Sequence, residues 1–183
     1  MYGMIHKALQ DFVVEAEGDE VWQAIATEAG VNDESFIAMQ TYADDVVYGL
    51  VGAAAKVLDA SAAELLEAFG RHWIAFAADH GFRELLGGPG TSMPSFLAGL
   101  DAMHARINLS FPESQPPTFE TEQVGPQELH LHYRSHRPGL LPFVRGLLMG
   151  LSKHFEQPIT IETVSTREEG HDHDIILVAW EAR

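Results

Sequence analysis

The chain is predicted to be an α+β protein: a helical N-terminal part, then a small antiparallel sheet with one helix inserted among its strands. Three observations carry that expectation. Apolar residues recur at three- and four-residue spacing as far as about residue 109, the cluster "PESQPP" at 112–117 interrupts the pattern, and short alternating runs follow it. Elements segregated in this way indicate an antiparallel sheet rather than βαβ crossovers. With 183 residues, 46% of them hydrophobic, the chain can build one core and is short for two. A single domain over 1–183 is expected, helical over about 1–111 and sheet-containing over about 112–183. No internal repeat or linker divides it.

Each element has its own signal. Residues 2–16 place Ile5, Leu9, Phe12 and Val13 at helical spacing, and 19–29 continue with Val21, Trp22 and Ile25. Segments 43–58 and 61–79 are alanine-rich and amphipathic, and Ser61 with Glu64 forms a capping box. "GGPGTSMP" at 87–94 breaks the pattern, after which a helix restarts near Ser95 and runs to about Leu109. Strands are expected over 118–124 and 128–135, then a helix from about Leu140 to Phe155. Two last strands, 159–166 and 174–181, are joined by the polar turn "REEGHDH".

Composition narrows the function. Eleven Lys and Arg against 27 Asp and Glu give a net charge of −16, which argues against nucleic-acid or anionic-membrane partners, because both need basic surface. The absence of cysteine removes disulfides, zinc-thiolate sites and thiol nucleophiles, and it fits a reducing compartment. The opening "MYGMIHKALQDFVVEAEG" is not a signal peptide, and no later run has the length and apolarity of a bilayer span. A cytoplasmic protein is expected. No nucleophile elbow, phosphate loop, H-E-x-x-H or glycine-rich nucleotide fingerprint is present, so no enzyme is expected.

Polar chemistry concentrates in "HLHYRSHRPGLLPF", residues 130–143. Strand alternation puts Tyr133 and Ser135 on one face, with Arg137 in phase if the strand continues. Those groups are either an ordinary exposed strand end or donors to an anion carrying two carboxylates or a phosphate. In "SFLAGLDAMHARINL", His104 shares a helix face with Leu97, Leu100 and Ile107. It is either a neutral core histidine or a ligand, the latter being the usual way to hold haem iron. Two H-x-H pairs, His130/His132 and His171/His173, have zinc-ligand chemistry. With acids abundant and cysteine absent, they read first as solvated histidines. A metal-dependent hydrolase built on those four, or a haem-free binding module, is the alternative function.

"YRSHR" (133–137) fits the Y-x-S-x-R motif of the H-NOX family, the haem–nitric oxide/oxygen binding domains that include the haem domain of soluble guanylate cyclase. "MYGMIHKALQDFV" resembles that family's start, "LDAMHARI" its proximal-histidine helix, and the prolines at 116 and 117 its haem-contacting proline. The resemblance covers essentially the whole chain. It implies a haem-based gas sensor carrying haem b (iron protoporphyrin IX), with His104 as the iron ligand. Tyr133, Ser135 and Arg137 would bind the propionates, and Pro117 would press on the porphyrin.

The distal side decides the gas. Family members that hold oxygen stably supply a distal tyrosine, and "PGLLPFVRGLLMG" contains none. The distal position falls on Phe143 or Pro142, and Ile5, Leu9, Trp73 and Ile74 are expected to complete the wall, with the Trp73 indole its one donor. The resemblance therefore implies nitric oxide as the signal, with carbon monoxide also expected to bind. Nitric oxide would weaken the bond to His104, freeing the helix near 95–109 and shifting the helical part against the sheet. With the last expected strand ending close to Arg183, output is expected through a separate signalling protein, a histidine kinase or a cyclic-di-GMP enzyme.

Overall fold

The computed structural model describes residues 1–31, 36–78, 92–111, 113 and 115–181. Four helices come first. α1 (Gly3–Glu17) stops at Gly18, whose φ of 90° suits glycine. α2 (Asp19–Glu28) opens on two acids at the positive end of its dipole. α3 (Asp44–Val57) follows, and α4 (Ala62–Ala77) begins at the predicted Ser61–Glu64 capping box. The breaker residues 87–91 lie outside the described residues.

The single helix expected near 95–109 is two. α5 (Met93–Ala98) starts earlier than expected because Ser92 and Ser95 cap it reciprocally, with Pro94 in its first turn. α6 (Leu100–Ser110) begins after a break at Gly99, whose N–H turns back to the carbonyls of Ser95 and Phe96. The four-residue phase survives that break, so Leu97, Leu100, His104 and Ile107 still face one cavity.

β1 (Thr118–Gly125) and β2 (Glu128–Arg134) form a hairpin. α7 (Leu141–His154) is inserted before β3 (Ile159–Ser165) and β4 (Asp174–Trp180). Among the described residues the sheet has four antiparallel strands in the order β1-β2-β4-β3, the α+β arrangement that the segregated elements predict. Alternation divides it cleanly. Phe119, Leu129, Leu131, Tyr133, Ile176 and Val178 pack in one core with Leu148 and Leu151 of α7 and with α5. A second core joins α1 to α4. The two halves meet where α4 crosses α7 at glycines: a Cβ on Gly70 would lie 2.9 Å from the Leu147 nitrogen and 3.0 Å from the Gly146 Cα. No single helix among the described residues is long and apolar enough to cross a membrane.

Candidate functional site

A cavity of about 360 Å³ lies between the two cores, within the range of small-molecule sites. One wall carries Ile5 of α1, Trp73 and Ile74 of α4, and Phe143 of α7. The opposite wall carries Met103, His104 and Ile107 of α6, with Pro117 and Phe119 at the start of the sheet. Tyr133, Ser135 and Arg137 line one end.

His104 is oriented by its neighbour. Its Nδ1 lies 3.0 Å from the Pro117 carbonyl oxygen, and a carbonyl only accepts, so Nδ1 carries the proton. In the neutral ring Nε2 then keeps its lone pair. Burial holds the imidazole below its ordinary pKa, partly offset by the bond to Pro117. A neutral histidine whose second nitrogen is fixed by a backbone carbonyl has the outer-sphere arrangement of a metal ligand. α6 is also tied to the sheet by Asp101, whose Oδ1 accepts from the Phe119 N–H at 2.6 Å.

The polar end is built on a turn rather than on strand alternation. β2 stops at Arg134, so the expected phase does not extend to Arg137. The Arg137 N–H instead donates to Ser135 Oγ at 3.1 Å, closing a short side-chain turn. The Arg137 side chain, only 9% exposed, donates from Nε to Asp44 Oδ2 at 2.8 Å and from Nη1 to the Gln115 carbonyl at 2.9 Å. Asp44 Oδ1 also accepts from the Met1 amine at 3.0 Å. Burial alone would raise the Asp44 pKa, but the bonds from Arg137 and the amine bring it below the ordinary range. Burial pushes the Tyr133 phenol up, while its hydrogen bond with Ser135 opposes the shift.

Nine of the ten predicted site residues line this cavity: His104, Pro117, Tyr133, Ser135, Arg137, Ile5, Trp73, Ile74 and Phe143. Leu9 does not. It packs in the helical core, since only the first turn of α1 reaches the cavity and Leu9 sits one turn deeper. Of the two candidate distal positions, Phe143 lines the wall and Pro142 does not. His72, next to Trp73 in α4, is turned to another partner, with its Nε2 2.9 Å from Asp11 Oδ2. Three tyrosines border the cavity from outside α7. Tyr133 is bonded to Ser135, Tyr48 donates to the Pro138 carbonyl at 2.8 Å, and Tyr2 packs edge-on against Phe111. Sequence reading missed Asp44, for which the only local signal is an acid in the first turn of a helix. The four histidines of the hydrolase alternative do not assemble: His171 is exposed and is absent from the ligand cluster formed by Glu122, His130 and His132.

These residues fit haem: an apolar slot, a neutral imidazole on one wall, and a guanidinium with two hydroxyls at one end suited to carboxylates. Sequence comparison defines the same class. Residues 2–163 match the family model described as Haem-NO-binding, and the chain belongs to that family, whose H-NOX domains are haem-based gas sensors related to soluble guanylate cyclase. It is 29% identical over 178 residues to the soluble guanylate cyclase gcy-31 of Caenorhabditis elegans, covering 97% of this chain and 25% of that protein. It is 30% identical to gcy-37 of the same organism, covering 92% of this chain and 24% of the relative. The chain thus spans about a quarter of the length of these curated relatives.

Solved structures agree in fold. An H-NOX protein from S. oneidensis in the Fe(II)NO ligation state superposes with a TM-score of 0.89 at 23% identity, over 100% of both chains. An oxygen-binding H-NOX domain related to soluble guanylate cyclases, in its oxygen complex, does so with 0.85 at 20% identity, over 100% of this chain and 96% of that one. The same fold thus occurs in a protein solved with nitric oxide on its iron and in one solved as an oxygen complex.

Proposed function

We propose that this chain is a haem-based nitric oxide sensor in which His104 holds the iron of haem b and Tyr133, Ser135 and Arg137 hold its propionates. The observation that carries the reading is His104: neutral, on the cavity wall, with Nδ1 committed to the Pro117 carbonyl and Nε2 left as a lone-pair donor. Ferrous haem supplies an iron that takes up a diatomic gas. The residues named for the other wall, Ile5, Trp73, Ile74 and Phe143, offer one polar hydrogen between them, the Trp73 indole N–H. Such a wall gives little help to bound oxygen and supports a preference for nitric oxide.

The chain's own bonds suggest how a change at His104 travels. His104 to Pro117 and Asp101 to Phe119 join α6 to the start of β1 at two points. A displacement of α6 therefore pulls on the strand next to Tyr133, and the sheet shifts against the helical half. Output then passes to a separate signalling protein, for which the family resemblance suggests a histidine kinase or a cyclic-di-GMP enzyme.

The test is the ultraviolet–visible spectrum of anaerobically reduced protein, alone, with nitric oxide and with air. A Soret band that moves with nitric oxide and not with air is expected. A stable oxygen complex would overturn the gas assignment and keep the haem. No Soret band, in protein made with ample haem, would overturn both. His104→Gly should lose normal haem loading and regain part of it with added imidazole; unchanged loading and spectrum would remove His104 as the ligand.

A further inference from the structure

The outer face of the β1–β2 hairpin, turned away from the cavity, gathers Glu122, His130 and His132. Glu122 faces His130 across the ladder, and its Oε2 lies 3.4 Å from His132 Nε2 and 3.9 Å from His130 Nδ1. The ligand atoms of the three residues all lie within 4.8 Å of one another. Both carboxylate–imidazole distances exceed those of a good hydrogen bond. They approach the separation of ligand atoms around one ion: bonds of about 2.0–2.1 Å at tetrahedral angles set ligands about 3.3 Å apart.

The hydrogen bonds behind His132 decide where its lone pair points. His173 Nε2 lies 3.3 Å from Arg134 Nη2, and a guanidinium only donates, so His173 Nε2 is an acceptor. His132 Nδ1, 2.8 Å from that same atom, must therefore be a donor. The His173 proton then sits on Nδ1, which meets Asp172 Oδ1 at 2.7 Å. In neutral His132 the Nε2 lone pair consequently faces the carboxylate of Glu122, two electron-rich atoms opposed without a hydrogen between them. A cation resolves that opposition. The chain Asp172–His173–His132 is the carboxylate-backed support that orients ligating histidines, here through one extra imidazole.

We infer that Glu122, His130 and His132 form a divalent-metal site of the zinc class, with three protein ligands and a fourth position open to solvent or to a group from a partner. Two imidazoles and a carboxylate suit zinc. The open position follows from exposure: Glu122 is 63% exposed and His130 27%, while His132, at 16%, anchors the inner side. The site stands independently of the haem assignment.

Haem-loaded protein, stripped of metals with a chelator and then desalted, should be titrated with zinc chloride against a chromophoric zinc indicator. Wild type should bind one zinc. His130→Gln and Glu122→Gln should each weaken it by at least about tenfold, and Asp172→Asn by about 10- to 100-fold through loss of outer support. All should keep the wild-type far-ultraviolet circular dichroism spectrum and melting temperature, which separates a lost ligand from a damaged fold. His72→Gln is the control, because His72 lies in the other metal-capable cluster, with Asp11 and Glu15; it should bind zinc as wild type does. No zinc in wild type, equal affinity in His130→Gln and wild type, or loss confined to His72→Gln would each overturn the site.

Discussion

The helix crossing that positions Phe143 depends on glycine, and Gly146→Ala measures that dependence. A Cβ at 146 would overlap the Glu67 carbonyl oxygen and lie 2.9 Å from its carbon and 3.0 Å from the Gly70 Cα. Carbon contacts relax at about 3.5 Å, so α4 and α7 must part by at least roughly 0.6 Å. The obstructing atoms are helix backbone, which cannot swing aside as a side-chain end can. The cost falls at the upper end of the overpacking range, about 3 kcal/mol. Alanine in a helix interior returns up to about 1 kcal/mol. A net loss of about 2 kcal/mol remains, which lowers the melting temperature of a chain this size by about 4–8 °C. Gly52→Ala is the matched control: Gly52 is an exposed α3 residue with nothing within 4 Å of an added Cβ, so only the propensity gain applies and the melting temperature should rise. Thermal unfolding followed by circular dichroism reads both. If Gly146→Ala melts at or above Gly52→Ala, the close crossing is not what holds the two halves in place.

Two other perturbations test the polar groups. Arg137→Ala should speed haem transfer to an excess of a haem-accepting protein by about 10- to 100-fold, the equivalent of losing a charge-assisted bond worth about 1.5–3 kcal/mol. Asp44→Asn, which keeps the guanidinium and weakens its anchor, should fall between that and wild type; an unchanged rate in Arg137→Ala would detach Arg137 from the propionates. His6 is wholly buried, and its Nε2 has no hydrogen-bond partner among the described residues. Burial lowers its pKa, so below about pH 6.5 the unfolded chain takes a proton that the native state refuses, and stability falls with pH by up to about 1.4 kcal/mol per unit. His6→Phe should flatten urea-unfolding stability between pH 6.5 and 5 relative to wild type, and equal slopes would refute the assignment.

Much of the architecture is local and was legible for that reason. Ser61 with Glu64 marks the start of α4, because a capping box is made by residues three apart. The alternation in "ELHLHYR" separates Leu129, Leu131 and Tyr133 from His130 and His132, because a strand can bury only one side here. His104 shares a face with Leu97, Leu100 and Ile107, and the spacing held even though Gly99 divides the helix. Family resemblance added what spacing could not: that "YRSHR" and His104 belong to one site.

Long-range geometry lay beyond any such reading. Nothing near Asp44 announces a partner 93 residues away, nor does Pro117 announce that its carbonyl aligns the histidine. Leu9 keeps helical phase with Ile5 yet misses the cavity, since periodicity fixes a residue's face but not how far along the helix the neighbouring wall extends. Gly70 and Gly146 lie 76 residues apart in two separate helices, and only their approach shows that the missing side chains are what lets α4 and α7 touch. Local bonding and periodicity are written along the chain within a few residues. Which faces meet, at what depth and with which partner, is decided when distant segments pack together.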